Sequence, residues 1–286
     1  MKTIVITGAS DGIGAAAARR LSSDGHRVIV VGRSLEKASS VAVPINAPYH
    51  LADFAELDDV ERLAAELLTE YPQIDVLANN AGGLFNDERA ETVDGHELTF
   101  QVNYLAPWYL TWLLTDRLIA SKATIINTSS VAHTSLAHFD IGDLDAERSF
   151  TPSAAYGNAK LAQLLHIHEL TARYGTKGLS AVAFHPGLVG TSFASTLQTD
   201  RIGRFYRAFG SRMTSPDKGA DTLVWLAEGQ PGINYPTDRY YANRSVHRTS
   251  KTADDRGLAS DLWRRTELIL ANRIRRFQPD PIRSRT

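Results

Sequence analysis

The 286-residue chain contains no cysteine, which removes disulfides, thiolate nucleophiles and cysteine-ligated zinc from its chemistry. Long apolar runs are missing as well; none reaches the ~18 residues expected of a membrane span. The opening residues, MKTIVITGAS, pass directly into a strand-like run and leave no room for a signal peptide, so a cytoplasmic location is expected. Neither sign of charge is in excess. The formal net charge is −1, which argues against a nucleic-acid binder that depends on a large positive surface. No metal site is expected. What remains is the composition of an ordinary soluble globule, 43% hydrophobic and 22% charged.

Apolar runs alternate with helical patterns along the chain. Thr3 to Thr7, Val28 to Val31, Val76 to Ala78, Thr124 to Asn127 and Ala181 to Phe184 read as buried strands, with a shorter one near Tyr49. Helices are expected over Ile13 to Ser23, near Leu35, from Ala55 to Glu70, around Phe100 to Leu118, and across Tyr156 and Lys160. Between Ala55 and Glu70 the residues Leu57, Val60, Leu63, Ala64 and Leu67 share one helical face. This alternation predicts an α/β fold, a single Rossmann-type doubly wound parallel sheet with helices on both faces. No repeat or convincing linker divides residues 1–286, which are expected to form one domain.

Two segments carry chemistry. Gly8, Gly12 and Gly14 stand between the first strand and the first helix, in the order G-x-x-x-G-x-G. Glycine permits a tight turn and close approach of backbone to a diphosphate, and the helix that follows offers free N–H groups and its positive end. Further along, Tyr156 and Lys160 lie four apart and so on one face of a helix. A nearby cation brings a phenol, ordinarily near ~10, toward the working range of a proton donor or acceptor. The pair has that meaning only beside a hydride donor and a third polar group.

Together the glycine spacing and the Tyr156/Lys160 pair resemble the classical short-chain dehydrogenase/reductase family, and the resemblance runs in order from the first strand to about Thr191. It implies that Gly8, Ser10, Asp11, Gly12, Ile13 and Gly14 hold the dinucleotide, and that Asn79-Asn80-Ala81-Gly82 matches the family's NNAG segment beside it. Asn103 matches the helix asparagine that organises a proton-relay water. Asn127-Thr128-Ser129-Ser130 resembles the strand end that supplies the catalytic serine; alignment of the double serine assigns Ser130, with Ser129 as the competing choice. Pro186-Gly187-Leu188-Val189-Gly190-Thr191 resembles the PGxVxT segment around the nicotinamide, giving Pro186, Gly187, Val189 and Thr191 cofactor contacts. Asp53 and Phe54 resemble the Asp-Leu pair that holds the adenine. On this resemblance Asn103, Ser130, Tyr156 and Lys160 form the catalytic set for hydride transfer between nicotinamide and a carbonyl or alcohol.

Cofactor preference is read near the end of the second strand. An acid there would bind a ribose 2′-hydroxyl and repel a 2′-phosphate. The chain has Gly32, Arg33 and Ser34 instead, and in the family such an arginine is associated with NADP, so NADP(H) is expected over NAD(H). Asp11 departs from the basic residue that many NADP-using relatives carry.

The interval between Ser130 and Tyr156, with His133, Phe139 and Asp140, resembles the retinol-dehydrogenase-like and protochlorophyllide-reductase-like branch. So do Ser215 to Ala220 and Asp261-Leu262-Trp263. That branch acts on lipophilic aldehydes, ketones or alcohols. Residues 188–214 take the place of the family's substrate lid, with Phe193, Leu197, Ile202, Phe205, Tyr206 and Phe209 as apolar surface; a peripheral membrane contact is the other reading. A C-terminal amphipathic helix is expected over about 258–277. A homodimer or homotetramer through the long helices of the fourth and fifth crossovers, or a monomer, fits the family. Two other functions share parts of this pattern: a non-catalytic NADP-binding regulator and a sugar-nucleotide epimerase or dehydratase.

Overall fold

A computed structural model describes residues 1–189 and 213–277. Strand β1 (Thr3–Thr7) leads through the glycine turn into α1 (Gly12–Ser23), then β2 (Arg27–Gly32), α2 (Leu35–Ala42), β3 (Tyr49–Leu51), α3 (Leu57–Glu70) and β4 (Val76–Asn79). A helical stretch in four pieces follows: α4 (Leu98–Phe100), a π-helical turn over Gln101–Leu105, α5 (Ala106–Leu113) and α6 (Thr115–Ala120). Strand β5 (Thr124–Thr128) precedes the short α7 (Ala132–Ser135), the long α8 (Pro152–Tyr174) and β6 (Ser180–His185). After the undescribed segment come α9 (Pro216–Glu228), β7 (Tyr240–Ala242), β8 (Ser245–Val246), α10 (Arg256–Ile269) and α11 (Ala271–Phe277).

The eight strands form one sheet in the order β3-β2-β1-β4-β5-β6-β7-β8, parallel except for β8. Helices cover both faces, as expected. Successive side chains on a strand point to opposite faces. Ile4, Ile6, Val28 and Val30 accordingly pack with α1, α2 and α9, while Val5, Ile29 and Val31 pack with α3, α5, α8 and α10. Burial on both sides explains why the strands read as continuous apolar runs. Alanines at 15 to 18 are buried and let α1 lie close to the sheet and to α9.

Two expectations are revised, and one feature is new. The helix around Phe100 to Leu118 is interrupted, and Pro107 gives a physical reason. Proline has no N–H, so the carbonyl four residues back, that of Asn103, lacks its ordinary helical donor; the π turn lies there. The C-terminal helix of about 258–277 is two helices meeting at Leu270. The β7–β8 hairpin was not anticipated. Its turn residues Asn243 and Arg244 both have positive φ, 50° and 59°, the geometry that matches a tight antiparallel turn. Among the described residues no helix is long and apolar enough to cross a membrane.

Candidate active site

Strand order reverses between β1 and β4, and a crevice opens beyond the carboxyl ends of the strands at that point. Two cavities of about 170 Å³ and 390 Å³ lie there and meet at Gly8, Asp11, Ala81 and Gly82. The smaller is bordered by Gly12, Ile13, Asn80, Ser130, Tyr156, Lys160, Pro186, Gly187 and Val189, and the larger by Ser10, Arg33, Asp53 and Phe54. Of the remaining expected residues, Gly14 and Asn103 border neither, and Thr191 lies outside the described residues. Most of the proposed lid, residues 190–212, is outside them as well. Its two ends are joined by the Thr214 N–H donating to the Leu188 carbonyl at 2.9 Å.

The glycine turn is held against the segment after β4. Thr7 Oγ1 accepts from the N–H groups of Asn80 and Ala81, both at 3.0 Å, and Asn80 Nδ2 donates to the Thr7 carbonyl at 3.0 Å. Gly8, at φ 64°, comes so close that a Cβ there would stand 2.8 Å from Ala81 Cα. Gly14 serves the same packing from below, facing the Gly8 carbonyl. Asn79 points into the sheet, donating to Asn127 Oδ1 and Thr111 Oγ1 at 3.0 Å each.

The end of the crevice that holds the expected catalytic residues is assembled by β5 and α8. Thr151 caps α8 by accepting from the Ala154 N–H at 3.1 Å, and Pro152 opens its first turn, where no N–H is needed. One turn in, Tyr156 and Lys160 are 7% and 3% exposed, with Lys160 Nζ 5.4 Å from the Tyr156 ring centre. Lys160 Nζ donates to the Thr128 carbonyl at 2.9 Å. Burial pushes its pKa down to about 7. Ser129 is buried, and its hydroxyl donates to the Lys160 carbonyl at 2.8 Å. Ser130 Oγ accepts from the Ala132 N–H at 3.2 Å, and its own proton meets no acceptor among the described residues. The two serines, between which alignment favours Ser130 with Ser129 as the competing choice, differ in their bonds. His133 is turned away from the cavity. Its Nδ1 lies 2.5 Å from the Ser130 carbonyl, and its ring stands edge-on to Tyr240 at 5.0 Å.

Asn103, in the π turn, is fully buried. Its side chain clamps the peptide of Gly83, accepting from N–H at 3.1 Å and donating to the carbonyl at 3.0 Å, and also donates to the Thr99 carbonyl at 2.9 Å. The carbonyl left open by Pro107 accepts from Gln163 Nε2. Gly82 separates Asn103 from the lysine; a Cβ there would fall 2.4 Å from Asn103 Oδ1 and 3.1 Å from Lys160 Nζ.

Sequence reasoning passed over Thr128, His185 and Lys37, all of which border the cavities. His185 directly precedes the Pro186-Gly187 pair, and burial pushes its pKa down to about 4, so it is neutral near pH 7. Position at a strand end was the available signal for Thr128 and His185. Lys37 looks like any solvated helix lysine.

The crevice fits a nicotinamide dinucleotide. A buried ammonium has three N–H donors. Among the described residues Lys160 uses one of them, on Thr128, which leaves room for the hydroxyls of a ribose. The glycine turn and the start of α1 face the junction of the two cavities, where a diphosphate would meet free backbone N–H groups.

Known proteins resemble this chain in sequence and fold. The short chain dehydrogenase family model matches residues 2–202. A proposed daunorubicin C-13 ketoreductase of Streptomyces sp. (strain C5) is 40% identical over 275 residues, covering 92% of this chain and 90% of that protein. Human retinol dehydrogenase 13 is 32% identical, over 92% of this chain and 82% of its own. A crystal structure of an uncharacterized protein from Mycobacterium paratuberculosis superposes with a TM-score of 0.75 at 29% identity, over 94% of this chain and 93% of that one. On this likeness and on its fold, the chain is an oxidoreductase that belongs to the short-chain dehydrogenase/reductase family, in the retinol-dehydrogenase-like branch.

Proposed function

We propose that the protein is an NADP(H)-dependent reductase or dehydrogenase acting on a lipophilic ketone, aldehyde or alcohol, with Tyr156 as its general acid/base. The observation that carries this reading is the convergence of Tyr156, Lys160 and the uncommitted hydroxyl proton of Ser130 on one cavity. A bound dinucleotide supplies or takes up the hydride. In the reducing direction Tyr156 Oη delivers its proton to the substrate oxygen, while Ser130 Oγ donates a hydrogen bond to the same atom. Lys160 favours the phenolate through its charge and holds the ribose through its free N–H groups. Asn103 fixes the Gly83 peptide beside the lysine, which supports giving it the family role of organising a relay water there.

Arg33 supports the phosphate preference. It is exposed at the larger cavity and has no ion pair among the described residues. A lipophilic substrate is supported by Leu188, 46% exposed at the border of the smaller cavity, and by relatives named for daunorubicin and retinol. Residues 1–286 act as one dinucleotide-binding domain in this reading. The test is Tyr156→Phe. The variant is expected to bind NADPH normally and to lose turnover by roughly 10²–10⁴-fold across a panel of aliphatic, aromatic and polycyclic carbonyls. Turnover near the wild-type rate would remove the tyrosine from its role.

A further inference from the structure

His185 ends β6 and borders the smaller cavity with Ser130 and Tyr156, yet neither proton delivery nor ribose binding uses it. Strand β6 lies beside β5, and the Ser129 N–H donates to the Phe184 carbonyl at 2.8 Å. The residue after Phe184 therefore stands one strand spacing, about 4.8 Å, from the serine pair. Alternation fixes its face. Ala181 and Ala183 pack with residues of α8, and side chains two apart on a strand share a side, so His185 lies on the face that carries Tyr156.

Its hydrogen bonding is open. Nδ1 is enclosed and has no partner, and Nε2 makes no hydrogen bond among the described residues. Polar groups are seldom left in that state, and the exceptions concentrate at functional sites. The neighbouring polar atoms do not answer it. His133 Nδ1 meets the Ser130 carbonyl, which only accepts, so that nitrogen carries the proton and Nε2 is left as an acceptor. His133 Nε2 and Tyr240 Oη are likewise enclosed without partners. Of these three residues only His185 borders the cavity.

An imidazole kept neutral near pH 7 holds one N–H and one lone pair, so it donates to a carbonyl or accepts from a hydroxyl. The reacting oxygen already receives Tyr156 and Ser130. One strand further on, the group within reach of His185 is a second oxygen of the same substrate. We propose that His185 is a specificity residue, selecting lipophilic carbonyl compounds that carry a hydroxyl or second carbonyl within two carbons of the reacting one. The inference rests on the reading in which Tyr156 and Ser130 hold the reacting oxygen. An apolar wall alone discriminates weakly here, whereas a polar partner left unpaired by the plain ketone penalises it.

Steady-state kinetics of the whole chain with NADPH tests this on a matched pair, α-hydroxyacetophenone against acetophenone. The variants are His185→Leu, which keeps apolar bulk without a hydrogen-bonding atom, and His185→Asn, which keeps a donor and an acceptor. In wild type kcat/KM should favour the hydroxyketone. His185→Leu should cut that ratio about tenfold, the worth of one hydrogen bond, and His185→Asn should restore most of it. The intrinsic reactivity of each ketone is common to all variants and cancels in the comparison. A ratio that His185→Leu leaves intact overturns the proposal, as does an equal loss on both ketones. A matching fall in NADPH affinity, followed by fluorescence without turnover, overturns it too, by making the residue a support of the cofactor. Turnover of other carbonyls but of neither member of the pair has the same result; all four outcomes leave the reductase reading standing. Failure of wild type to turn over any carbonyl removes that reading and this inference with it.

Discussion

Ser129 and Ser130 are neighbours of the same type with opposite bonding. The Ser129 proton is spent on the backbone of α8, while the Ser130 proton has no acceptor among the described residues and faces the cavity. Ser130→Ala is therefore expected to lower turnover by about 10²–10³-fold, as for loss of one donor to a developing oxyanion, with NADPH binding retained. Ser129→Ala should instead lower stability by about 1 kcal/mol, the net worth of one buried hydrogen bond. Parallel kinetics and thermal melts decide the matter; a more inactive Ser129 variant would reverse the assignment. Lys160 makes a pH-dependent prediction. Lysine titrates near 10.5 when unperturbed, and burial brings Lys160 to about 7. Between those values the unfolded chain keeps a proton that the folded chain has released, so this group's contribution to stability rises with pH across the window. Below pH 7 the folded state bears the whole desolvation cost. Lys160→Met should melt higher than wild type at pH 6, and the gap should close as pH approaches 10. A gap that widens with pH would contradict the burial account.

At the scale of elements, legibility tracked how much of the information was local. β1, β2, β4, β5 and β6 are buried on both faces, and this writes itself as unbroken apolar runs. β7 has three residues, and its turn to β8 uses Asn243-Arg244 where a glycine would have announced it. Nothing in the periodicity betrays a hairpin that short. The helix after β4 was legible as a helix, but its interruption depends on which partner takes up the carbonyl freed by Pro107, and that partner is on α8. Likewise the glycine turn, Tyr156 and Lys160 could be found by spacing. Alignment favours Ser130 over Ser129, but the bonding that sets them apart was not legible, because it depends on where the backbone of a distant helix passes. Lys37 stayed hidden for the same reason, since only the fold brings it to the larger cavity.

For the molecule as a whole, the segments beyond the family match complete both cores. α9 closes the face shared with α1, and α10 and α11 close the other. Trp263 stands edge-on to Trp108 at 4.9 Å, Tyr104 Oη meets Thr266 Oγ1 at 3.1 Å, and the Arg173 guanidinium lies 4.6 Å from the Trp263 ring centre. Arg273 joins α11 to Asp58, Glu61 and Asp94, the last at 2.7 Å. The chain's own C-terminal helices pack against α5 and α8. Ending the chain at Asp255 would uncover Trp108 and Tyr104, which are otherwise fully buried. The shortened protein should bind a hydrophobic dye, associate with itself in a concentration-dependent way and melt lower. Unchanged size on gel filtration together with an unchanged melt would show that these helices are dispensable to the core.

Pro107 has one more consequence. Along a regular helix every interior carbonyl already accepts from the helix's own N–H groups, so its remaining acceptor capacity fixes a neighbouring helix less firmly than a carbonyl left open. The hydrogen that Pro107 lacks leaves the Asn103 carbonyl as an address, and Gln163 answers it from α8, three residues past Lys160. Gln163, with the bonds from Ser129 and Asn127 to α8 carbonyls, fixes the phase of α8. With about 100° of rotation per residue, a single insertion between Tyr156 and Gln163 would swing the phenol out of the cavity while leaving helix, sheet and glycine turn intact.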